Sequence, residues 1–199
     1  MDSVKNPIAT IKMQNGAVIV VELMTHIAPN TVNSFIHLAR QGAFDHYRIA
    51  RIEPGFVVDA STNAFGRAAC RYLIANEAPL VPAEKRMEAT LGTLCMGGYP
   101  NGIAGGEFFF PLAHHPRLDG HYPCFGRVIE GVEEIERLGT VPVEAFKYIH
   151  SKPMHKPQEP QVIERVTVET FGECYPGPQR LEDAQLPPHW LMEDYEQRV

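Results

Sequence analysis

Basic residues are in short supply in this chain: 18 Lys and Arg stand against 24 Asp and Glu, for a formal net charge of −6. That balance argues against a phosphate-binding face, because nucleic-acid binders carry clustered positive charge. Long apolar runs are missing too. Nothing in the sequence approaches the ~18 residues of a membrane helix. The opening "MDSVKNPIATIKMQNG" has no apolar stretch followed by a small-residue cleavage site. The expectation is a soluble, unexported, cytoplasmic protein with no nucleic-acid or membrane partner. Cysteine is sparse: Cys70, Cys95, Cys124 and Cys174 include no C-x-x-C pair, which fits neither a zinc site nor a disulfide framework. They are expected to be buried free thiols of a reducing compartment. Neither internal repeats nor low-complexity tracts occur, and Trp190 is the single tryptophan.

What remains is enough for one domain and an appendage, since 199 residues at 44% hydrophobic can bury a core. The opening predicts a hairpin, "ATIKM" and "VIVVEL" joined through Asn15-Gly16. A helix is predicted over "APNTVNSFIHLARQGAF", with Asn30 or Thr31 as cap, Val32, Phe35, Ile36 and Ala39 on one face, and Gly42 at the C-terminal end. Short turn-bounded runs follow, "RIEPGFVVDA", "GTLCMG", "EFFFPL", "CFGRVIEG" and "PQVIERVTVETFG", the pattern of an antiparallel barrel or sandwich. A second helix is predicted at "EGVEEIERLG", with Val132, Ile135 and Leu138 as its stripe. From residue 173 the chain turns proline-rich and acidic, so the expected division is a barrel over 1–172 and a C-terminal tail over 173–199. In that tail Pro187-Pro188 could start a short helix, and Trp190 would pack it on the barrel.

One residue in these strands asks for an explanation. Arg51 and Phe56 lie five apart, so in an unbroken strand they would face opposite ways. A bulge at Pro54-Gly55 would reset the parity and turn both toward one groove.

The segments "PNTVNSFIHLA", "ARIEPGFVV", "GTLCMG", "GGEFFF", "RLDGHYPCFGRVIEGVE" and "EPQVIERVTVETFG" together resemble the cyclophilins, a family of peptidyl-prolyl cis-trans isomerases, over roughly residues 7 to 172. The resemblance implies a mainly β fold, a closed eight-stranded antiparallel barrel capped by two helices. It also implies an outer groove for an extended Xaa-Pro segment of an unfolded client or exposed loop, and no metal or other cofactor. By family position Arg51 would be catalytic. Phe56, Val57, Phe109 and Leu118 would line the proline pocket, and Tyr122 stands where many members use His and others Tyr.

Departures from the family pattern gather in the groove. Ala50 replaces a usual His, Asp59 and Glu107 replace two Gln, Arg117 replaces a frequent Trp or His, and "STNAFGRAAC" replaces a glycine-rich stretch. Two carboxylates beside Arg51 would hold its guanidinium or compete for it, and would favour basic peptides. Arg117 and Ala68-Ala69 imply weak binding of cyclosporin. The expected molecule is a monomeric isomerase of reduced efficiency. A non-catalytic peptide-binding or scaffolding module on the same barrel is the alternative. His114-His115 lacks the spacing of a zinc motif and is expected to be loop, and "GGYPNGIAGG" lacks the Lys-Ser/Thr of a phosphate loop.

Overall fold

Asn15 and Gly16 turn the chain between β1 (Ile8–Met13) and β2 (Val18–Leu23), Gly16 at φ 90° and the Asn15 side chain accepting from the Ala17 amide. The computed structural model describes residues 5–60, 67–99, 101–147 and 153–187. Next comes α1 (Pro29–Arg40), whose apolar stripe, Val32, Phe35, Ile36 and Ala39, is buried as its spacing requires. Its C-terminal end closes as a Schellman motif: Gly42, at φ 66°, donates to the Ala39 carbonyl and Ala43 to that of Leu38.

The N-terminal end of α1 departs from expectation. Neither Asn30 nor Thr31 caps it, and Ala28 at the cap position has no side-chain oxygen to offer. Glu77, far along the chain, does the work instead. Its carboxylate accepts from the amides of Asn30 and Thr31 at 2.9 and 2.7 Å, and from the Thr31 hydroxyl at 2.6 Å. A negative group at a helix N-terminus also meets the positive end of the helix dipole. Glu77→Ala is therefore expected to cost about 2 kcal/mol in a denaturant melt. A loss below about 0.5 kcal/mol would mean that water replaces the carboxylate.

The remaining strands are β3 (Tyr47–Arg48), β4 (Arg51–Glu53), β5 (Val57–Asp59), β6 (Leu73–Ile74), β7 (Thr93–Tyr99), β8 (Gly102–Pro111) and β9 (Cys124–Glu130), followed by β10 (Val143–Lys147), β11 (Pro153–Pro157) and β12 (Val162–Glu169). Among the described residues ten of the twelve strands form one curled antiparallel sheet in the order β3-β12-β1-β2-β9-β7-β8-β5-β4, with β6 paired to β8. Its two ends, β3 and β4, are joined only by Ile49-Ala50, so a single chain segment serves both edges of the curl. The count is ten where eight were expected, because β3 to β6 are pieces of only two or three residues. Helix α2 (Val132–Leu138) buries Ile135 and Leu138, whereas Val132 is 37% exposed.

Strand alternation sorts the side chains into two layers. Ile52, Val58, Phe108 and Phe110 point inward and join α1 in the main core, where Phe35 meets Phe44, Phe108 and Phe125 at 5.4, 5.4 and 5.6 Å between ring centroids. Val57 and Phe109, one residue out of phase, turn to the other face. There they form a second apolar cluster with Ala89, Cys95, Leu118 and Cys124.

The Pro54-Gly55 break is a correction to the sequence reading. It is no bulge: Phe56 donates to the Glu53 carbonyl at 2.9 Å, and β5 folds back antiparallel on β4 with Arg51 opposite Asp59. Proline at the second position and Gly55 at φ 71° in the third are the residues a type II turn requires. Cysteine brings a second correction. Cys70, Cys95 and Cys124 are buried free thiols, but Cys174 is exposed.

Part of the tail is strapped down. Arg180 bridges to Ile74 and stacks 4.1 Å over the Tyr72 ring, Leu181 donates to the Leu73 carbonyl, and Gln179 and Asn30 exchange two hydrogen bonds. Trp190, Pro188 and the first six residues of "STNAFGRAAC" lie outside the described residues.

Candidate functional site

The hairpin turn at Pro54-Gly55 sets the site's first row. Arg51 is opposite Asp59, Asp59 is opposite Phe109, and Phe109 is opposite Cys95, so one line of outward residues crosses four strands. Around it opens a groove of about 240 Å³. All eight residues that the sequence nominated line it: Arg51, Phe56, Val57, Asp59, Glu107, Phe109, Leu118 and Tyr122. Four others do so as well, Gly97, Gly98, Tyr99 and Met154.

The apolar end is built from rings held edge to face. Phe109 meets Tyr122 at 5.7 Å, and Phe56 meets His115 at 4.8 Å. Arg117 also lies over this wall, its guanidinium carbon 4.3 Å from the Phe56 centroid. His114 makes a 2.9 Å contact with Asp119 instead of joining its neighbour. Phe56 is thus gripped from the loop 112–121, which fixes the mouth of the pocket.

At the polar end Arg51 is three-quarters buried by side chain and holds two carboxylates. Its Nε donates to Glu53 Oε1 at 3.1 Å and its Nη1 to Asp59 Oδ2 at 3.4 Å. Glu53 shares the face of Arg51 because it lies two residues along the same strand. Among the described residues Nη2 makes no hydrogen bond. Burial works against the charge of Arg51, but Asp59 and Glu53 outweigh it and raise its pKa. The guanidinium is fixed and charged.

Glu107 behaves otherwise. It makes no ion pair with Arg51; the Tyr99 hydroxyl donates to its Oε2 at 2.8 Å. Burial, and then the charge of Asp59, push its pKa well above the usual carboxylate value, and the pull of Tyr99 and Arg51 does not offset them. The carboxyl keeps its proton where an exposed glutamate has lost it, so the expected acidic lining is weaker than its carboxylates suggest. Burial of a protonated carboxyl contributes stability that is complete below the ordinary Glu range and is lost as pH rises through the raised value. Glu107→Gln has no proton to lose. Its melting temperature relative to the parent protein should therefore climb as pH rises from the ordinary Glu range, and a difference independent of pH would show Glu107 to be ionised throughout.

Two features escaped the sequence. Gly97 and Gly98 make room for this arrangement: a Cβ at Gly97 would lie 3.0 Å from the Glu107 carbonyl oxygen, and one at Gly98 would lie 2.8 Å from Ile103 Cδ1. The only available signal was the pair of glycines after Met96, which does not by itself say what packs against them. Met154 reaches the groove from the β10–β11 hairpin, a segment whose prolines at 142, 153 and 157 hid its strands.

A mainly β chain with a curled antiparallel sheet, two helices and an arginine beside an apolar outer groove defines the class to which this molecule belongs. The family model for cyclophilin type peptidyl-prolyl cis-trans isomerases matches residues 8–168, and the chain belongs to that family. Among named relatives, "Peptidyl-prolyl cis-trans isomerase-like 1" of Gibberella zeae is 32% identical over 150 residues, which span 71% of this chain and 91% of the relative. "Peptidyl-prolyl cis-trans isomerase CYP18-2" of Arabidopsis thaliana is 31% identical over 144 residues, 66% of this chain and 85% of the relative. The fold is also that of a cyclophilin type isomerase from Cryptosporidium parvum, solved in the presence of the dipeptide Ala-Pro. That likeness has a TM-score of 0.64 at 21% identity and covers 81% of this chain and 98% of the other.

Proposed function

We propose that this protein catalyses cis-trans isomerisation of Xaa-Pro bonds, with Arg51 as the catalytic residue and Phe56 and Phe109 anchoring the proline ring. The observation that carries the reading is the pairing of a charged, doubly held guanidinium with an apolar pocket in one groove. Rotation about the bond is opposed by amide resonance, with a barrier of about 18–20 kcal/mol. No bond breaks. At the twisted state the imide nitrogen has lost conjugation and gained a lone pair, and a fixed donor favours that state over either planar one. The pocket of Phe56, Val57, Phe109, Leu118 and Tyr122 holds the ring while the preceding carbonyl turns. Clients of this chemistry are extended proline-containing segments of unfolded chains or exposed loops, a class supported by the dipeptide used with the structural neighbour.

With Asp59 and Glu53 on one arginine, the polar end carries a modest excess of negative charge. Lys-Pro peptides are expected to be turned over faster than Glu-Pro peptides, the gap narrowing with added salt. Equal rates at low salt would remove this preference.

The second reading, a peptide-binding module without turnover, is favoured by Ala50, Asp59 and Glu107 where the family has other residues. Titration of Ala-Pro peptides followed by NMR separates the two. Shifts at groove residues with accelerated cis-trans exchange are expected. Shifts without acceleration would establish the binding module.

A further inference from the structure

The β10–β11 hairpin sends two neighbouring residues to the site. Met154 forms groove wall, and His155 reaches behind it to Glu53. The His155 amide donates to Glu53 Oε1 at 3.2 Å, while its ring Nδ1 sits 2.7 Å from Oε2. Oε1 also accepts from Arg51 Nε. Glu53 is therefore the middle of a chain running from the hairpin to the guanidinium, and it is not itself part of the groove lining.

An arginine side chain has many rotamers, and one acceptor at 3.4 Å, Asp59, does not fix the plane of its fork. A second carboxylate on a different edge does, provided that it is itself immobile. We propose that the β10–β11 hairpin sets the orientation of Arg51 through His155 and Glu53, which makes these two positioning residues for the isomerisation. The inference rests on the isomerase reading of the groove. The groups facing Glu53 are Arg51 on its own strand and His155 on β11, with Asp59 of β5 and Glu107 of β8 beyond the arginine. Burial of Glu53 opposes its charge, but the hydrogen bond from His155 and then Arg51 hold its carboxyl below the ordinary value. Its grip on Arg51 is thus present at neutral pH and lost on acidification.

The test compares Glu53→Gln, His155→Ala and His155→Asn with the parent and Arg51→Ala. Rates of Xaa-Pro exchange across pH are measured together with the ¹⁵N signal of the Arg51 Nε–H. Glu53→Gln and His155→Ala are expected to lower kcat about ten- to hundredfold with KM little changed, as misplacement of a preorganised group does. In His155→Ala the fall of kcat on acidification should begin at higher pH, and the Nε–H signal should broaden or move. His155→Asn, which retains a donor, should restore both toward the parent.

The inference is overturned if both variants keep the parent's kcat, pH profile and Nε–H signal while Arg51→Ala is inactive. A uniform loss at every pH, with the Nε–H signal unmoved, would overturn it too, since that is a general structural defect. If the parent itself is inactive, the isomerase reading fails and takes the inference with it; if the parent is active and Arg51→Ala is as fast, there is no role for a positioned arginine and the inference alone is overturned.

Discussion

Arg51→Ala is expected to lower kcat/KM for Xaa-Pro peptides by about 10²–10³-fold, the roughly 3–4 kcal/mol lost when one preorganised donor is removed from a site. The figure follows from what the reaction demands. An acceleration on the order of 10⁵ takes about 7 kcal/mol of differential stabilisation, and the groove has two sources for it. One is the guanidinium, held by Glu53 and Asp59 before any substrate arrives, so that no reorganisation is needed at the twisted state. The other is the ring pocket, which fixes the proline and excludes water from the charge beside it. The alanine variant should still bind peptide through Phe56, Phe109 and Leu118. It also strands two carboxylates without their cation, one of them on the buried residue Asp59. Arg51→Lys is the control: it keeps the charge, loses the planar fork, and should retain the fold with most of the activity gone. Arg51→Ala within about threefold of the parent would place the rate enhancement in the pocket alone.

Phe35→Ala should cost about 3–5 kcal/mol, the range for emptying a buried aromatic site. Phe35 is fully buried at the junction of α1 with the sheet, and its ring touches Phe44, Phe108 and Phe125, which come from three separate parts of the chain. β8 is the strand that carries Phe108 inward and Phe109 into the groove, so the two faces share one backbone. For a domain of this size the loss corresponds to a fall of about 10 °C in Tm. A fall under about 3 °C would mean that the aromatic cluster repacks.

The main strands and both helices were legible because their signals are periodic. Asn-Gly between alternating runs, the α1 stripe with Gly42 after it, and the triple Phe of β8 each state a local preference that the fold obeys. The eight groove residues came from the cyclophilin resemblance, and they converge because the family positions fall on outward faces of β4, β5 and β8 or in the loop beside them.

What was not legible depends on distance or on a sign. Glu77 caps α1 across 46 residues from Thr31, a contact with no sequence pattern. The Pro54-Gly55 turn was misread as a bulge because both use a glycine between strand residues; only the pairing of Arg51 with Asp59 tells them apart. The sequence pattern places Glu107 as an acid beside Arg51, whereas its burial and its proximity to Asp59 raise its pKa well above the ordinary carboxylate value. β10 and β11 were hidden by prolines that an isolated two-stranded hairpin tolerates and a central strand would not. With them went Met154 and the Glu53–His155 contact.

The most direct test of the isomerase claim is the cis-trans exchange rate of an Ala-Pro peptide, measured by NMR with the protein present in catalytic amount and shown to be folded by the dispersion of its own spectrum. The account predicts exchange faster than the uncatalysed tens to hundreds of seconds, proportional to protein concentration and abolished by excess competing peptide. Exchange at the uncatalysed rate, with the peptide bound in the groove, would contradict it.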